Sequence, residues 1–188
     1  MGRPHSIRIV GGDWRGRRLP IPTGTQVRPT PDRARETLFN WLTVSVVGAR
    51  CLDLYAGTGA LGFEALSRGA RETWFIERNS RLQSALRERI DEFGANATVV
   101  GEDVGRVLSR SIRETFDLVF LDPPYEDSLE PILAALPPWL APEARIYVER
   151  SSSSDDALKR SIAAVPGLDV IKESRAGGVR YGLLQFAE

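Results

Sequence analysis

The chain has 188 residues, of which 42% are hydrophobic and 27% are charged, and its formal net charge is zero. This length suits one domain that buries its own core, and a single cysteine excludes an internal disulfide. The only histidine, His5, has no second ligand type nearby, so we expect no metal site. The sequence contains no apolar run of membrane-spanning length and no hydrophobic signal core, which predicts a soluble, cytoplasmic protein.

The N-terminal part of the chain is basic. Residues 1–41 hold eight arginines against three acidic residues, a net charge of +5, so the remainder carries −5. Arginine supplies 23 of the 25 basic residues, and its planar guanidinium suits contacts with phosphates and bases. Charge alone does not distinguish a solvated tail from a segment that contacts nucleic acid.

Two elements are predicted before residue 50. The Gly-, Arg- and Pro-rich stretch RIVGGDWRGRRLPIP indicates a short hairpin or an arm. TPDRARETLFNWL predicts a helix with Thr30 as N-cap and Pro31 at the first helical position. Its buried stripe would consist of Ala34, Leu38 and Leu42. Arg33 and Arg35 would then point away from the core and be available to a partner.

From residue 50 onward, strands and helices alternate. Strands are predicted at 50–56, 72–78, 97–101, 116–122 and 144–150, and helices at 59–69, 80–94, 104–112 and 127–136. This alternation predicts a parallel sheet with helices on both faces, and residues 168–186 predict a C-terminal antiparallel hairpin around Gly177 and Gly178. Cys51 opens the first of these strands, so we expect a buried thiol and not a nucleophile. Ligands of such sheets bind at the carboxyl ends of the strands, near the switch in strand order.

A glycine loop follows the first strand of this alternation. Gly57, Gly59 and Gly62 in LDLYAGTGALG satisfy G-x-G-x-x-G between a strand and a helix, so the backbone can turn tightly and approach a ligand. The next strand ends at Glu77, whose carboxylate can accept hydrogen bonds from both ribose hydroxyls of a nucleotide. These two features fit NAD, FAD and S-adenosylmethionine equally well.

Two further acids favour S-adenosylmethionine. Asp53 lies in the strand four residues before Gly57, which gives the D-x-x-x-G-x-G form typical of enzymes that use this cofactor. Glu102 and Asp103 follow the third strand, where a carboxylate can accept from an adenine amino group. One acid at a strand end is more often solvated or a helix cap, but acids at three successive strand ends favour a binding site. The predicted cofactor residues are Asp53, Tyr55, Gly57, Thr58, Gly59, Glu77, Arg78 and Asp103.

The fourth strand ends in Asp122, Pro123, Pro124 and Tyr125, which we predict to be the catalytic residues. Two prolines stop the strand and fix a rigid corner beside the cofactor. An exocyclic amine on a base is a poor nucleophile because its lone pair is delocalised into the ring. The Asp122 carboxylate and the Pro123 carbonyl can both accept its N–H bonds and aim the lone pair at a methyl group, while Tyr125 offers a face for stacking.

These motifs together resemble a known family. The combination of D-x-x-x-G-x-G with [DNS]-P-P-[YF] is typical of amino-group methyltransferases of the class I S-adenosylmethionine fold, which is Rossmann-like. RIVGGDWRGRRL, RPTPDRARETLFNWL, LDLYAGTGALGFEALSRGA and LDPPY resemble the RsmD family, which methylates the 2-amino group of one guanine in bacterial 16S rRNA. The resemblance implies a seven-stranded, mostly parallel sheet and a partner in the partly assembled small ribosomal subunit. It also implies that the RPTPDR segment closes over the site.

No separate base-recognition domain fits in 188 residues, so we expect a monomer that docks through shape and phosphate contacts. The predicted RNA-binding residues are Arg15, Arg17, Arg18, Arg28, Arg33 and Arg35. We divide the chain into a basic arm and helix, residues 1–43, and a catalytic domain, residues 44–188, within one compact unit. Three alternatives stay open: a methyltransferase acting on DNA adenine or a protein glutamine, an NAD-dependent oxidoreductase, and a non-catalytic RNA-binding module.

Overall fold

The structure is a computed structural model that describes residues 6–25, 27, 30–124, 127–151 and 155–187. The strands are β1 (Ser6–Arg8), β2 (Arg18–Pro20), β3 (Arg50–Leu54), β4 (Glu72–Ile76), β5 (Ala97–Val100), β6 (Phe116–Leu121), β7 (Leu140–Ser151), β8 (Leu168–Ala176) and β9 (Val179–Phe186). The helices are α1 (Asp32–Trp41), α2 (Ala60–Ser67), α3 (Ser80–Phe93), α4 (Val104–Leu108), α5 (Glu130–Ala135) and α6 (Asp155–Ala163), with a 3-10 turn at Pro137–Trp139.

Seven strands form one sheet in the order β5-β4-β3-β6-β7-β9-β8. Strands β3 to β7 are parallel, and β9 is antiparallel to both β7 and β8. The predicted class I architecture with its C-terminal antiparallel hairpin is therefore confirmed. Strand order reverses between β3 and β6, so the carboxyl ends of these two strands flank the switch point at which such sheets bind ligands.

Helices cover both faces of the sheet because successive apolar side chains of the buried strands point to opposite faces. Leu52 of β3 belongs to the hydrophobic cluster beneath α4, α5 and α6, whereas its neighbour Cys51 belongs to the cluster beneath α1 and α2. Cys51 is fully buried and burial raises the pKa of its thiol, as expected for a structural core residue. Among the described residues, no helix is long and apolar enough to span a membrane.

Several helix boundaries differ from the sequence prediction, among them those of α1, α4 and α5. Helix α1 begins one residue later than predicted, at Asp32, and its N-cap is Pro31 and not the predicted Thr30. Helix α5 begins at Glu130 because a proline is accommodated only in the first helical turn, where its missing N–H needs no partner. Helix α4 ends at Leu108, before the predicted residue 112.

The arm packs directly on α2. The β1–β2 ribbon buries Ile7 and Leu19 in a cluster with side chains of α2 and β4. A side chain at Gly12, where φ is +74°, would place its Cβ 1.8 Å from the Ser67 carbonyl oxygen, so only glycine permits this approach. Ser67 in turn accepts the Trp14 N–H at 2.9 Å, which fixes the arm beside the helix that follows the glycine loop.

Candidate active site

One cavity of about 590 Å³ opens at the carboxyl ends of β3, β4, β5 and β6. Seven of the eight predicted cofactor residues line it: Asp53, Tyr55, Gly57, Thr58, Glu77, Arg78 and Asp103. Asp122, Pro123 and Pro124 of the predicted catalytic corner line the same cavity. Arrangement around the switch point therefore brings the glycine loop and the proline corner to one site, as the motif order predicted.

Glu77 holds the glycine loop in place. It is 8% exposed, and its Oε2 accepts the Gly57 N–H at 2.9 Å while its Oε1 accepts the Asn79 N–H at 2.7 Å. Each carboxylate oxygen can accept a second hydrogen bond, so these contacts leave capacity for hydroxyl donors of a ligand. The strand-end acid thus orders the loop and faces the cavity at the same time.

Asp53 lies behind the loop and is 3% exposed. Its Oδ2 accepts the Gly62 N–H at 2.9 Å, near the start of α2. Burial raises the pKa of this carboxyl well above its ordinary value; the Gly62 N–H opposes the shift and the negative charge of Glu77 adds to it. The contact joins β3 to α2 across the turn, and the organising role of this acid in cofactor binding stays a prediction.

The turn itself requires unusual backbone angles. Gly59 has a φ of +77°, and a Cβ there would lie 2.7 Å from Leu86 Cδ2, so glycine is required although the residue itself does not line the cavity. Tyr55 has a φ of +62°, a conformation uncommon for a non-glycine residue. Burial raises the pKa of the Tyr55 phenol to about 12, with smaller contributions from the charges of Asp127 and Asp103.

Asp103 combines a structural contact with a place in the cavity wall. Its Oδ1 accepts the Gly105 N–H at 2.9 Å, which caps α4. Its neighbour Glu102 also lines the cavity, and the Oε2 of Glu102 pairs with Arg110 at 2.5 Å. Both acids therefore face the cavity from the end of β5, as predicted.

The proline corner is held by a residue that sequence reasoning missed. Arg150, at the end of β7 and 6% exposed, donates from Nη1 to the Pro124 carbonyl at 2.8 Å and more weakly to the Pro123 carbonyl at 3.5 Å. Its Nη2 donates to the Asp127 carbonyl. Burial lowers the pKa of this guanidinium, and the carboxylates of Asp122 and Asp127 oppose that shift. Tyr125 lies outside the described residues.

A third buried carboxylate, besides those of Asp53 and Glu77, lines the cavity near Asp122. Glu149 of β7 is 3% exposed and accepts the Tyr147 hydroxyl proton at 2.8 Å. Burial and the negative charges of Glu149 and Asp122 raise the pKa of the Tyr147 phenol well above its ordinary value, so it stays a donor. Glu149 ends a predicted strand, as Glu77 does, and the same strand-end rule could have identified it.

The segment between the arm and α1 lies over the site. Val27 and Thr30 line the cavity together with Ile7 of β1. Val27 Cγ1 would lie 3.7 Å from a Cβ at Gly57, so this segment contacts the glycine loop. The cavity wall therefore includes described parts of the RPTPDR neighbourhood that was expected to close over it.

The predicted RNA-binding arginines fall into three groups. Arg15, Arg17, Arg18 and Arg33 are exposed, and the guanidinium of Arg17 lies 4.8 Å from the centre of the Phe93 ring. Arg28 lies outside the described residues. The prediction for Arg35 is wrong, because its side chain is fully buried.

Arg35 is buried because the apolar stripe of α1 is wider than predicted. Arg35 and Phe39 extend the stripe by one row, beside Ala34 and Leu38. Its Nη2 donates to Asp32 at 2.6 Å and its Nη1 lies 3.6 Å from Glu64 of α2, which is also fully buried. Arg35 therefore stabilises the packing of α1 on α2 and is removed from the surface that could contact RNA.

Comparison with known proteins agrees with this geometry. A family model described as conserved hypothetical protein 95 matches residues 7–185. The chain is 42% identical over 184 residues to "Ribosomal RNA small subunit methyltransferase D" of Escherichia coli (strain K12), covering 95% of this chain and 89% of that protein. It is 37% identical over 186 residues to the protein of the same name from Haemophilus influenzae, covering 95% and 93%.

Solved structures give the same result. The structure of yhhF from Escherichia coli matches with a TM-score of 0.84 and 40% identity, covering 97% of this chain and 99% of that one. SMU.776, a methyltransferase structure complexed with SAH, shares the fold with a TM-score of 0.77 at 16% identity, covering 98% of this chain and 57% of that one. The family match, the identities and the shared fold agree with the resemblance drawn from the motifs. The chain thus belongs to the conserved hypothetical protein 95 family, which is the RsmD family.

Proposed function

We propose that this protein is an rRNA methyltransferase that transfers a methyl group from S-adenosylmethionine to the exocyclic 2-amino group of a guanine in 16S rRNA. The substrate would be the assembled or partly assembled small ribosomal subunit, so the protein would act in the cytoplasm. One observation carries the proposal: the acid-flanked glycine loop and the Asp122–Pro123 corner line a single cavity of about 590 Å³. The names of the relatives from Escherichia coli and Haemophilus influenzae support the rRNA substrate class.

The residues around the loop fit S-adenosylmethionine. The cavity volume lies in the range of roughly 300–1,000 Å³ that is usual for small-molecule and cofactor sites. Glu77, at the end of β4, would accept from the ribose hydroxyls, and Asp103, at the end of β5, would accept from the adenine amino group. Tyr55, Thr58 and Arg78 would complete the wall around the cofactor. When bound, this cofactor supplies an electrophilic methyl group on a good leaving group.

The corner would prepare the attacking amine. The Asp122 carboxylate and the Pro123 carbonyl would accept the two N–H bonds of the guanine amine and aim its lone pair along the line of transfer. On transfer of the methyl group from sulfur to nitrogen, the amine would lose one proton to Asp122 or to water. Arg150 would keep the corner rigid by engaging the Pro124 carbonyl, while Tyr125 would stack on the base.

The exposed arginines of the arm would dock the enzyme on the subunit. Arg15, Arg17, Arg18 and Arg33 are exposed, and such cations bind phosphates without reading the sequence. Arg28 is proposed with them. Recognition of one guanine would then rest on the shape of the ribosomal surface. We propose that a monomer suffices.

Tritiated methyl transfer tests the proposal. Small subunits from a strain that lacks this enzyme, free 16S rRNA, duplex DNA and a glutamine-containing protein would be offered in parallel, and the product would be identified by mass spectrometry. N2-methylguanosine on the subunits is the expected result. Label on DNA adenine or protein glutamine would agree with the proposed chemistry of the proline corner but would rule out guanine in the small subunit as the substrate. A change in nicotinamide absorbance would indicate an oxidoreductase. RNA binding without methyl transfer would indicate a non-catalytic module.

A further inference from the structure

A second cavity of about 360 Å³ lies beside the active site, and we name it the arm groove. It is lined by Ser6, Ile7, Arg8, Arg18, Thr30, Pro31 and Asp32. Ile7 and Thr30 line both the arm groove and the active-site cavity. The two cavities are therefore neighbours across the same two side chains, and a polymer bound in one can continue into the other.

Two arginines face each other in the arm groove. Arg8 of β1 and Arg18 of β2 are directly opposed in the antiparallel ribbon. Ile7 and Leu19 are buried while Arg8 and Arg18 are exposed, so the two guanidinium groups share the outer face. Directly opposed like charges destabilise a pair of strands. A short ribbon that keeps such a pair therefore has a ready position for an anion.

The acid of the arm groove does not neutralise this pair. Asp32 binds the buried Arg35 through Oδ1 at 2.6 Å and meets Arg8 through Oδ2 at 3.3 Å. The Arg8 contact is exposed, with 55% of the Arg8 side chain and 49% of the Asp32 side chain accessible to solvent. Exposed pairs of this kind are weak, so Arg8 can exchange Asp32 for a stronger anionic ligand at little cost.

Arg18 also remains able to bind an anion. Its Nη1 donates to the Ser6 hydroxyl at 3.1 Å, an exposed contact between a cation and a neutral group. The Ser6 hydroxyl accepts in that contact and keeps its own proton to donate. An oxyanion in the arm groove would therefore meet two guanidinium groups and at least one hydroxyl donor. Guanidinium groups match the geometry of phosphate oxygens through paired N–H bonds.

We propose that the arm groove binds a backbone phosphate of the RNA strand directly next to the guanine that enters the active site, with Arg8 and Arg18 as its ligands. This inference rests on the proposed function and adds to it a specific phosphate subsite. An extruded base remains joined to its own phosphates, so a phosphate site adjoining the catalytic cavity fixes how deeply the base enters. Arg8 thereby becomes an RNA ligand, although the arginines assigned from the sequence did not include it.

Kinetics on small subunits test the role of the charges. Arg8→Ala and Arg18→Ala should each lower kcat/KM for subunits roughly tenfold, and each should reduce the salt dependence of kcat/KM by at most about one phosphate contact, because both bind the same phosphate, while KM for S-adenosylmethionine stays unchanged. Arg87→Ala, which removes an exposed arginine of α3 that lines neither cavity, is the matched control and should behave as wild type. Because the opposed charges repel each other, neither groove variant should lose thermal stability. Groove variants that match Arg87→Ala in kcat/KM and salt dependence would overturn the inference.

Directed cleavage tests the position of the RNA. An iron chelate attached to Arg8→Cys would generate hydroxyl radicals at the arm groove, and Cys51, fully buried, should not compete for the label. With saturating enzyme, cleavage should be confined to nucleotides that flank the methylated guanine. Cleavage elsewhere, or none with the enzyme bound, would refute the subsite. Wild-type enzyme that makes no N2-methylguanosine on subunits would instead reject the proposed function, so the two failures are distinguishable.

Discussion

Replacing Arg150 should separate the rigidity of the proline corner from cofactor binding. In Arg150→Met the carbonyls of Pro124 and Asp127 lose a charged donor, and the weaker contact with Pro123 is lost as well. Hydrogen bonds from charged donors contribute roughly 1.5–3 kcal/mol each. Water can replace the donor at the exposed Pro124, so we expect unfolding free energy to fall by about 2–4 kcal/mol. For a chain of this size that lowers Tm by roughly 4–16 °C.

The effect on catalysis should exceed the effect on folding. A misplacement of about 1 Å at a reacting centre can cost roughly a hundredfold in rate. We therefore expect kcat of Arg150→Met to fall about a hundredfold on small subunits, while the dissociation constant for S-adenosylmethionine stays unchanged because the loop contacts of Glu77 and Asp53 are intact. Arg150→Lys, which keeps the charge but has no planar fork, should be intermediate.

Arg145→Met is the matched control for this substitution. Arg145 lies on the same strand and donates to the backbone carbonyl of Glu143 at 2.7 Å, on the exposed side and away from the cavity. Its loss should leave both kcat and cofactor binding unchanged. Wild-type kcat in Arg150→Met, measured well below its Tm by single-turnover methyl transfer, would refute the positioning role of Arg150.

Three further predictions address the site and the helix that packs behind it. Asp122→Ala should abolish methyl transfer but leave cofactor affinity nearly intact in calorimetry. An equal loss of methyl transfer and cofactor affinity would contradict the proposal that Asp122 binds the guanine amine. In denaturant unfolding, the stability of wild type relative to Asp53→Asn should fall as pH rises above about 4, the ordinary carboxyl pKa, because burial raises the pKa of Asp53 in the folded state; parallel stability curves would contradict the raised pKa. Arg35→Met should lower unfolding free energy by about 1.5–3 kcal/mol, since Asp32 loses a charge-assisted hydrogen bond and the buried Glu64, which keeps Arg68 and the Val10 N–H, loses its second cation. Arg33→Ala should only weaken subunit binding, and similar stability losses in both variants would disprove the distinction.

The sequence predicted those parts of the site that depend on strand order. Once alternation implied a parallel sheet, acids and turns that follow successive strands had to meet at one edge, and Asp53, Glu77, Asp103 and Asp122 all line the cavity there. Glycine at position 59 follows from the same local geometry. These features are encoded within a few residues of each strand end, which is why pattern reasoning could reach them.

Contacts between distant elements were not predicted. Arg35 was expected at the surface because its charge outweighed its helical position, and only the fully buried Glu64 of α2 explains why it turns inward. Arg150 gave no signal, since its partners are backbone carbonyls 23 to 27 residues earlier in the chain. The opposition of Arg8 and Arg18 depends on ribbon register, which the sequence did not fix.

The most direct measurement is the N2-methylguanosine content of 16S rRNA from four strains of the source organism: wild type, a deletion of this gene, and the deletion carrying either the Asp122→Ala variant or a wild-type copy. We predict that deletion removes one methylated guanine per 16S molecule, that the variant does not restore it, and that a wild-type copy does. An unchanged N2-methylguanosine content in the deletion strain would contradict the proposed function.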